Sequence, residues 1–155
     1  AILIKVKRMI KRRMTEDKPI PTIFDEQVVR LAPSRGALHD IESGDTYTFR
    51  EMRDHSRRVA NYFQVVRRLE KRERSLELQS LGYKKGDVIA LFMTNSAEFP
   101  VVWLGLARLG VVTAWVNFNQ RNNVLGHSIN ISKANSIIIS PELQEGTAKC
   151  SRCVE

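Results

Sequence analysis

Two cysteines, three histidines and eight glycines are the residues of this chain whose chemistry depends most on spacing. Cys150 and Cys153 form a single CxxC near the C-terminal end. A zinc ribbon needs a second such pair, and a thioredoxin-like site needs the first cysteine at a helix start after a strand. Neither context surrounds this pair. His39, His55 and His127 are too far apart for HExxH or a comparable ligand set, so each reads as a surface or packed histidine. No two of Gly36, Gly44, Gly82, Gly86, Gly105, Gly110, Gly126 and Gly146 lie closer than four residues. GxGxxG and GxxxxGK[ST] are therefore missing, and with them the clustered backbone N–H groups that cradle a triphosphate. GxSxG, the strained turn that exposes a nucleophilic serine, is missing as well. On these grounds no catalytic, cofactor-binding or metal-ligating residue is assigned.

The elements that would position a site alternate. Val88 to Met93 reads as a short apolar strand, Asn95-Ser96 offers a cap, and Glu98 to Leu109 forms an apolar helix closed by Gly110. Val111 to Val116 is a second strand, Asn122 to Ser132 a second helix, and Ile137 to Ile139 a third strand. Apolar strands alternating with helices imply an α/β fold, an open and mostly parallel sheet covered on both faces. Ligands approach such sheets at the carboxyl ends of the strands. Asn117, Asn119 and Arg121 follow the second strand and so have either a ligand-facing or a loop-capping role. Asp87 reads as a turn residue, and Trp103 and Trp115, in apolar runs, as core.

Upstream, Thr22 is placed to cap a short helix that turns Ile23, Val28 and Leu31 inward and ends at Pro33. Ala37 to Ile41 and Thr46 to Phe49 flank Ser43-Gly44-Asp45, a hairpin or turn signal. Thr48-Phe49-Arg50-Glu51 fits a capping box. The helix it opens carries Met52, Val59, Phe63 and Val66 at helical spacing and continues into the charged run Val65 to Gln79. Gly82 and the Lys85-Gly86-Asp87 turn stop it, and from Pro141 onward the residues read as an unpacked polar tail.

The 155 residues carry a net charge of +8, with 43% hydrophobic and 27% charged residues, which suits a folded domain with anionic partners. The first fourteen residues hold six bases and no acid. On a helix, Ile2, Leu3, Val6, Met9, Ile10 and Met14 share one face, and Lys5, Lys7, Arg8, Lys11 and Arg12 lie mostly opposite. The readings are a helix lying on an anionic membrane surface, a frayed and solvated tail, or the stub after a lost hydrophobic segment. No apolar run reaches the ~18 residues of a membrane span. The low cysteine count suits a reducing, cytosol-facing compartment.

The run TYTFREMRDHSRRVANYFQ and the segments GDVIALFMTNSAEFPVVWLGLARLG and VNFNQRNNVLGHSI resemble the start of the adenylating domain of fatty acid transport proteins. These are also called very-long-chain acyl-CoA synthetases, within the adenylate-forming superfamily. The resemblance covers roughly 19–140 and implies ATP-dependent activation of a fatty acid to an acyl-adenylate, magnesium on the triphosphate, and capture by coenzyme A. It also implies a membrane-associated, cytosol-facing protein of the endoplasmic reticulum or plasma membrane. The family's phosphate loop, a YTSGTTGLPK-like sequence, has no counterpart here, and its later motifs are missing too. The expected organisation is therefore a basic segment at 1–18, the N-terminal part of a synthetase domain at 19–140 with 65–79 as an insertion, and a polar tail at 141–155. The expected function is that of an inactive N-terminal portion of a fatty acyl-CoA synthetase. Its alternatives are a membrane-surface or partner-binding module working through residues 1–14 and, last, a nucleic-acid binder. No nucleic acid is expected, because the bases are split between two places without interleaved aromatics.

Overall fold

In the computed structural model of the chain, residues 18–41, 43–72 and 83–147 are described. The basic segment 1–14, the cysteine pair and residues 73–79 of the charged run lie outside them. Helix α1 (Ile20–Ile23) runs directly into a π-helical turn (Phe24–Val29). Strands β1 (Gly36–His39) and β2 (Thr46–Thr48) pair antiparallel as the expected hairpin. Helix α2 (Phe49–Arg72), strand β3 (Val88–Phe92), helix α3 (Glu98–Arg108), strand β4 (Val112–Trp115), helix α4 (Asn122–Ser132) and strand β5 (Ser136–Ile139) follow. A 3₁₀ turn (Pro141–Leu143) and a short helix α5 (Gln144–Thr147) end the described chain.

The start of α2 is fixed by the capping box. Glu51 Oε2 accepts the Thr48 N–H at 2.8 Å, and Thr48 Oγ1 accepts the Glu51 N–H at 3.2 Å. The Thr48 backbone N–H, with its hydroxyl, holds the Glu51 carboxyl below the usual range.

The three-stranded sheet has the order β4–β3–β5, all parallel. Period-two alternation sends β3 to two cores. Ile89 packs with Leu106 and Val111 under α3, while Ala90 and Phe92 pack with Leu125 and Ile129 under α4. Both faces are thus covered, as the alternating pattern predicts. Helices α2 and α3 approach closely at Gly105, where an added Cβ would stand 2.6 Å from Val59 Cγ1 and 2.9 Å from the Ser56 carbonyl oxygen. Gly110, at φ +74°, turns the chain from α3 into β4, and its carbonyl accepts the Gly86 N–H at 2.9 Å.

An ion cluster ties the N-terminal turn to this pair. Arg108 donates twice to Asp25, at 2.8 and 3.0 Å, and its Nε donates to the buried Ser56 hydroxyl at 3.0 Å. Arg57 donates to the same carboxylate at 3.0 Å. Burial works to raise the Asp25 pKa, but the hydrogen bonds and charges of Arg108 and Arg57 outweigh it and hold the carboxyl below its ordinary value.

Four expectations need correction. Thr22 does not cap α1, whose N-cap is Pro19. Val29 is buried while Leu31 is 70% exposed, because the π turn, closed by the Arg30 N–H on the Asp25 carbonyl, winds about one residue more per turn and rotates the inward face. Asn95-Ser96 give α3 no side-chain cap; Ala97 is the N-cap, and the Ser96 carbonyl accepts the Phe99 N–H. The segment after Pro141 is not unpacked at its start, since Leu143 is buried against Phe92 and Leu125.

Candidate functional site

Helix α3 follows β3 and covers one face of the sheet; α4 follows β4 and covers the other. The carboxyl ends of β3 and β4 are therefore a topological switch point, where neighbouring connections part to opposite faces and leave a crevice. Two adjoining cavities occupy it, of about 740 and 640 Å³, and Asn95, Phe99 and Phe118 line both. The larger extends to the β1–β2 hairpin through Leu38, His39, Asp40 and Ile41.

Local hydrogen bonds set both loops. The Ser140 hydroxyl accepts the Thr94 N–H at 3.4 Å and the Ser140 N–H donates to the Phe92 carbonyl at 3.2 Å, tying the end of β3 to the end of β5. After β4, Asn117 Oδ1 accepts the Asn119 N–H at 2.9 Å, and the Asn117 carbonyl accepts the Gln120 N–H at 3.0 Å. Arg121 donates to the carbonyls of Phe118 and Gln120 at 2.6 and 2.7 Å. Asn117, Asn119 and Arg121 thus hold the loop together, and the two asparagines also line the smaller cavity.

Trp115 is not core: it is 59% exposed on β4, which is an edge strand among the described residues. Its ring meets Phe99 at 5.3 Å and Trp103 at 5.4 Å, both edge-to-face. On the hairpin side, desolvation followed by the charges of Glu98, Asp45, Asp40 and Glu51 raises the Tyr47 hydroxyl pKa above its usual value.

The histidines stay apart. His39 Nδ1 lies 3.0 Å from Thr46 Oγ1, the His55 ring meets Tyr47 edge-on, and His127 is exposed on α4. Asp87 is the expected turn residue, with its carboxylate bonded to the Lys84 N–H and its own N–H donating to the Lys84 carbonyl. Among the described residues no group of three or more His, Cys, Asp or Glu is arranged to hold a metal. Among the described residues that line the two cavities there is neither Lys nor Arg, and their side chains do not fit a triphosphate with its magnesium. The described lining is instead apolar and amide-bearing, with Phe99, Phe118 and the side chains of Asn95, Asn117 and Asn119.

Sequence reading reached half of this site. The strand-end rule points to the loop after β4, while Asn95-Ser96 read as a helix cap. The same rule applied to β3 finds Thr94 to Ala97. The hairpin's contribution has no sequence signal, because it depends on how distant elements dock.

The model of the AMP-binding enzyme family matches residues 24–154 and so extends past Ser140. Long-chain fatty acid transport protein 1 of Mus musculus is 34% identical over 97% of this chain and 21% of its own length. A long-chain-fatty-acid–CoA ligase of Escherichia coli is 32% identical over 76% of the chain and 18% of its own length. The chain thus spans about a fifth of the length of these curated relatives. Among solved structures, the inhibitor-bound N-terminal domain of FACL13 from Mycobacterium tuberculosis matches with a TM-score of 0.65 at 22% identity, covering 83% of this chain and 29% of that one. The N-terminal subdomain of Klebsiella oxytoca NpsA with anthranilyl-AMSN gives 0.64 at 22%, over 83% and 32%. At that identity the two structures speak for the fold alone, and they share the α/β arrangement found here. No described helix is long and apolar enough to cross a membrane. The match over residues 24–154 settles the family: this chain belongs to the AMP-binding enzymes.

Proposed function

We propose that this chain is the N-terminal portion of the large domain of a long-chain or very-long-chain fatty acyl-CoA synthetase with a role in fatty-acid transport. In this reading the full-length protein uses ATP and Mg²⁺ to form an acyl-adenylate and coenzyme A to capture the acyl group. The 155 residues alone perform neither step. The observation that carries the reading is the 34% identity to a fatty acid transport protein across 97% of the chain. The chemistry of the crevice supports this division of labour. The described residues of the crevice are aromatic walls and amides with no Lys or Arg among them, so in this reading the chain contributes a scaffold and an apolar rim, and phosphate chemistry falls to residues elsewhere. We assign residues 65–79 as an insertion, 1–18 as a separate basic segment and 141–155 as a polar tail. Membrane association, cytosol-facing, belongs to the same proposal and rests on the named relatives.

The test is formation of oleoyl-CoA from oleate, ATP, Mg²⁺ and coenzyme A, measured for chain 1–155 and for a full-length protein that contains it. The reading expects turnover only in the longer protein. Robust acyl-CoA formation by the 155 residues alone overturns it. So does a folded full-length protein that activates no long-chain acid.

A further inference from the structure

The turn that carries α1 and the π helix is bound to the molecule in a different way from the sheet. Its backbone bonds close on themselves: the Thr22 and Ile23 N–H groups donate to the Pro19 carbonyl, Arg30 to that of Asp25, and Ala32 to that of Val28. Side chains do the same, since Lys18 donates to the Glu26 carboxylate and Arg30 to the Glu26 carbonyl. Pro21 and Val29 are buried, but Ile20 and Leu31 are exposed. Strand β3, by contrast, buries Ile89, Ala90, Leu91 and Phe92 completely. A segment with local bonds and little buried apolar surface opens at a lower free energy than such a core.

Phe24 and Asp25 fasten this segment. Phe24 meets Phe49 edge-to-face at 6.0 Å and packs on the buried cluster of Met52, Val101 and Leu104. Beside it, Asp25 reaches Arg57 on α2 and Arg108 at the end of α3. The hairpin rests on the same cluster through Leu38, which also lines the larger cavity. Chain 33–35 closes the hairpin base: the Phe49 N–H donates to the Arg35 carbonyl at 3.1 Å and the Arg50 N–H to the Pro33 carbonyl at 3.0 Å. We infer that residues 18–35 are a strap that opens as a unit while the sheet stays formed, with Asp25 as its latch. Its opening frees the hairpin wall of the crevice, so the latch controls access there. This inference goes beyond the proposed function and holds or fails without it.

Native-state hydrogen exchange of the full chain in low urea, followed amide by amide, tests it. After correction for intrinsic rates, the amides of Arg30, Ala32, Phe49 and Arg50 should exchange about tenfold or more faster than those of Val116 and Asn135, which donate to the Leu91 and Val88 carbonyls of β3. Their urea dependence should be shallower, because a strap exposes less surface than the whole fold. Asp25→Asn should speed all four together by about tenfold, the scale of a hydrogen bond to a charged group. Three results overturn the inference. The four amides share the rate and urea slope of the sheet amides, Asp25→Asn leaves all four at parent rates, or it speeds Arg30 and Ala32 while Phe49 and Arg50 keep theirs. The first is read on the parent chain alone and does not depend on the variant folding.

Discussion

Replacing Gly105 by alanine pits two effects of known sign against each other. Alanine in a helix interior is favoured over glycine by about 1 kcal/mol. At this position, however, the new methyl would stand 2.6 Å from Val59 Cγ1, 2.7 Å from Val59 Cβ and 2.9 Å from the Ser56 carbonyl oxygen. All three distances are well inside van der Waals contact, and two of the atoms are held by α2 itself. Side-chain rotation at Val59 can relieve only the first, so α2 and α3 must separate. Overpacking of that kind costs about 1–3 kcal/mol, and with three contacts the upper half applies, leaving a net loss of about 1–2 kcal/mol. Urea unfolding should give a lower midpoint with an unchanged slope. Val59→Ala in the same chain should recover part of the loss, because it removes one of the three contacts and leaves the backbone oxygen in place. A Gly105→Ala protein more stable than the parent would refute the close approach of α2 to α3, and with it the packing that holds α3 against the sheet.

Asp25→Asn keeps the shape but removes the charge shared by Arg108 and Arg57. Because the folded pKa of Asp25 is depressed, its contribution is full above the ordinary carboxylate value of 3.8 and is lost as pH falls through the folded value. The stability gap between parent and variant should therefore be open at pH 7 and close below about pH 4; a gap independent of pH contradicts the ion cluster. Thr48→Ala removes the hydroxyl that caps α2 and should cost about 1 kcal/mol, read from the thermal midpoint. Trp115→Ala should cost only about 1 kcal/mol, the scale of its edge-to-face contacts, rather than the ~3–5 kcal/mol of a buried tryptophan, and a loss at that higher level would put Trp115 in a core.

The parallel α/β arrangement was legible because each of its elements states its own boundaries. Val88 to Phe92 is apolar throughout, as a strand buried on both faces must be, and α4 runs from Asn122 to Ser132 as its spacing predicts. The capping box at Thr48 and Glu51 was equally plain, since both partners lie within four residues. What failed depends on neighbours that sequence does not name. Trp115 sits in the same kind of apolar run as Leu91, yet one strand is central and the other is at an edge. Leu31 faces outward because a π turn shifts the helical phase, a choice tied to Asp25 finding Arg108 eighty-three residues away. The crevice was half legible: one loop follows from strand order, while its hairpin wall follows from docking alone.

The described residues build an apolar, amide-lined scaffold, and none of them forms a cradle for a triphosphate. Titration calorimetry of chain 1–155 with ATP and Mg²⁺ tests it most directly. The account predicts no saturable heat up to millimolar nucleotide. Tight, stoichiometric binding to this polypeptide by itself would contradict it.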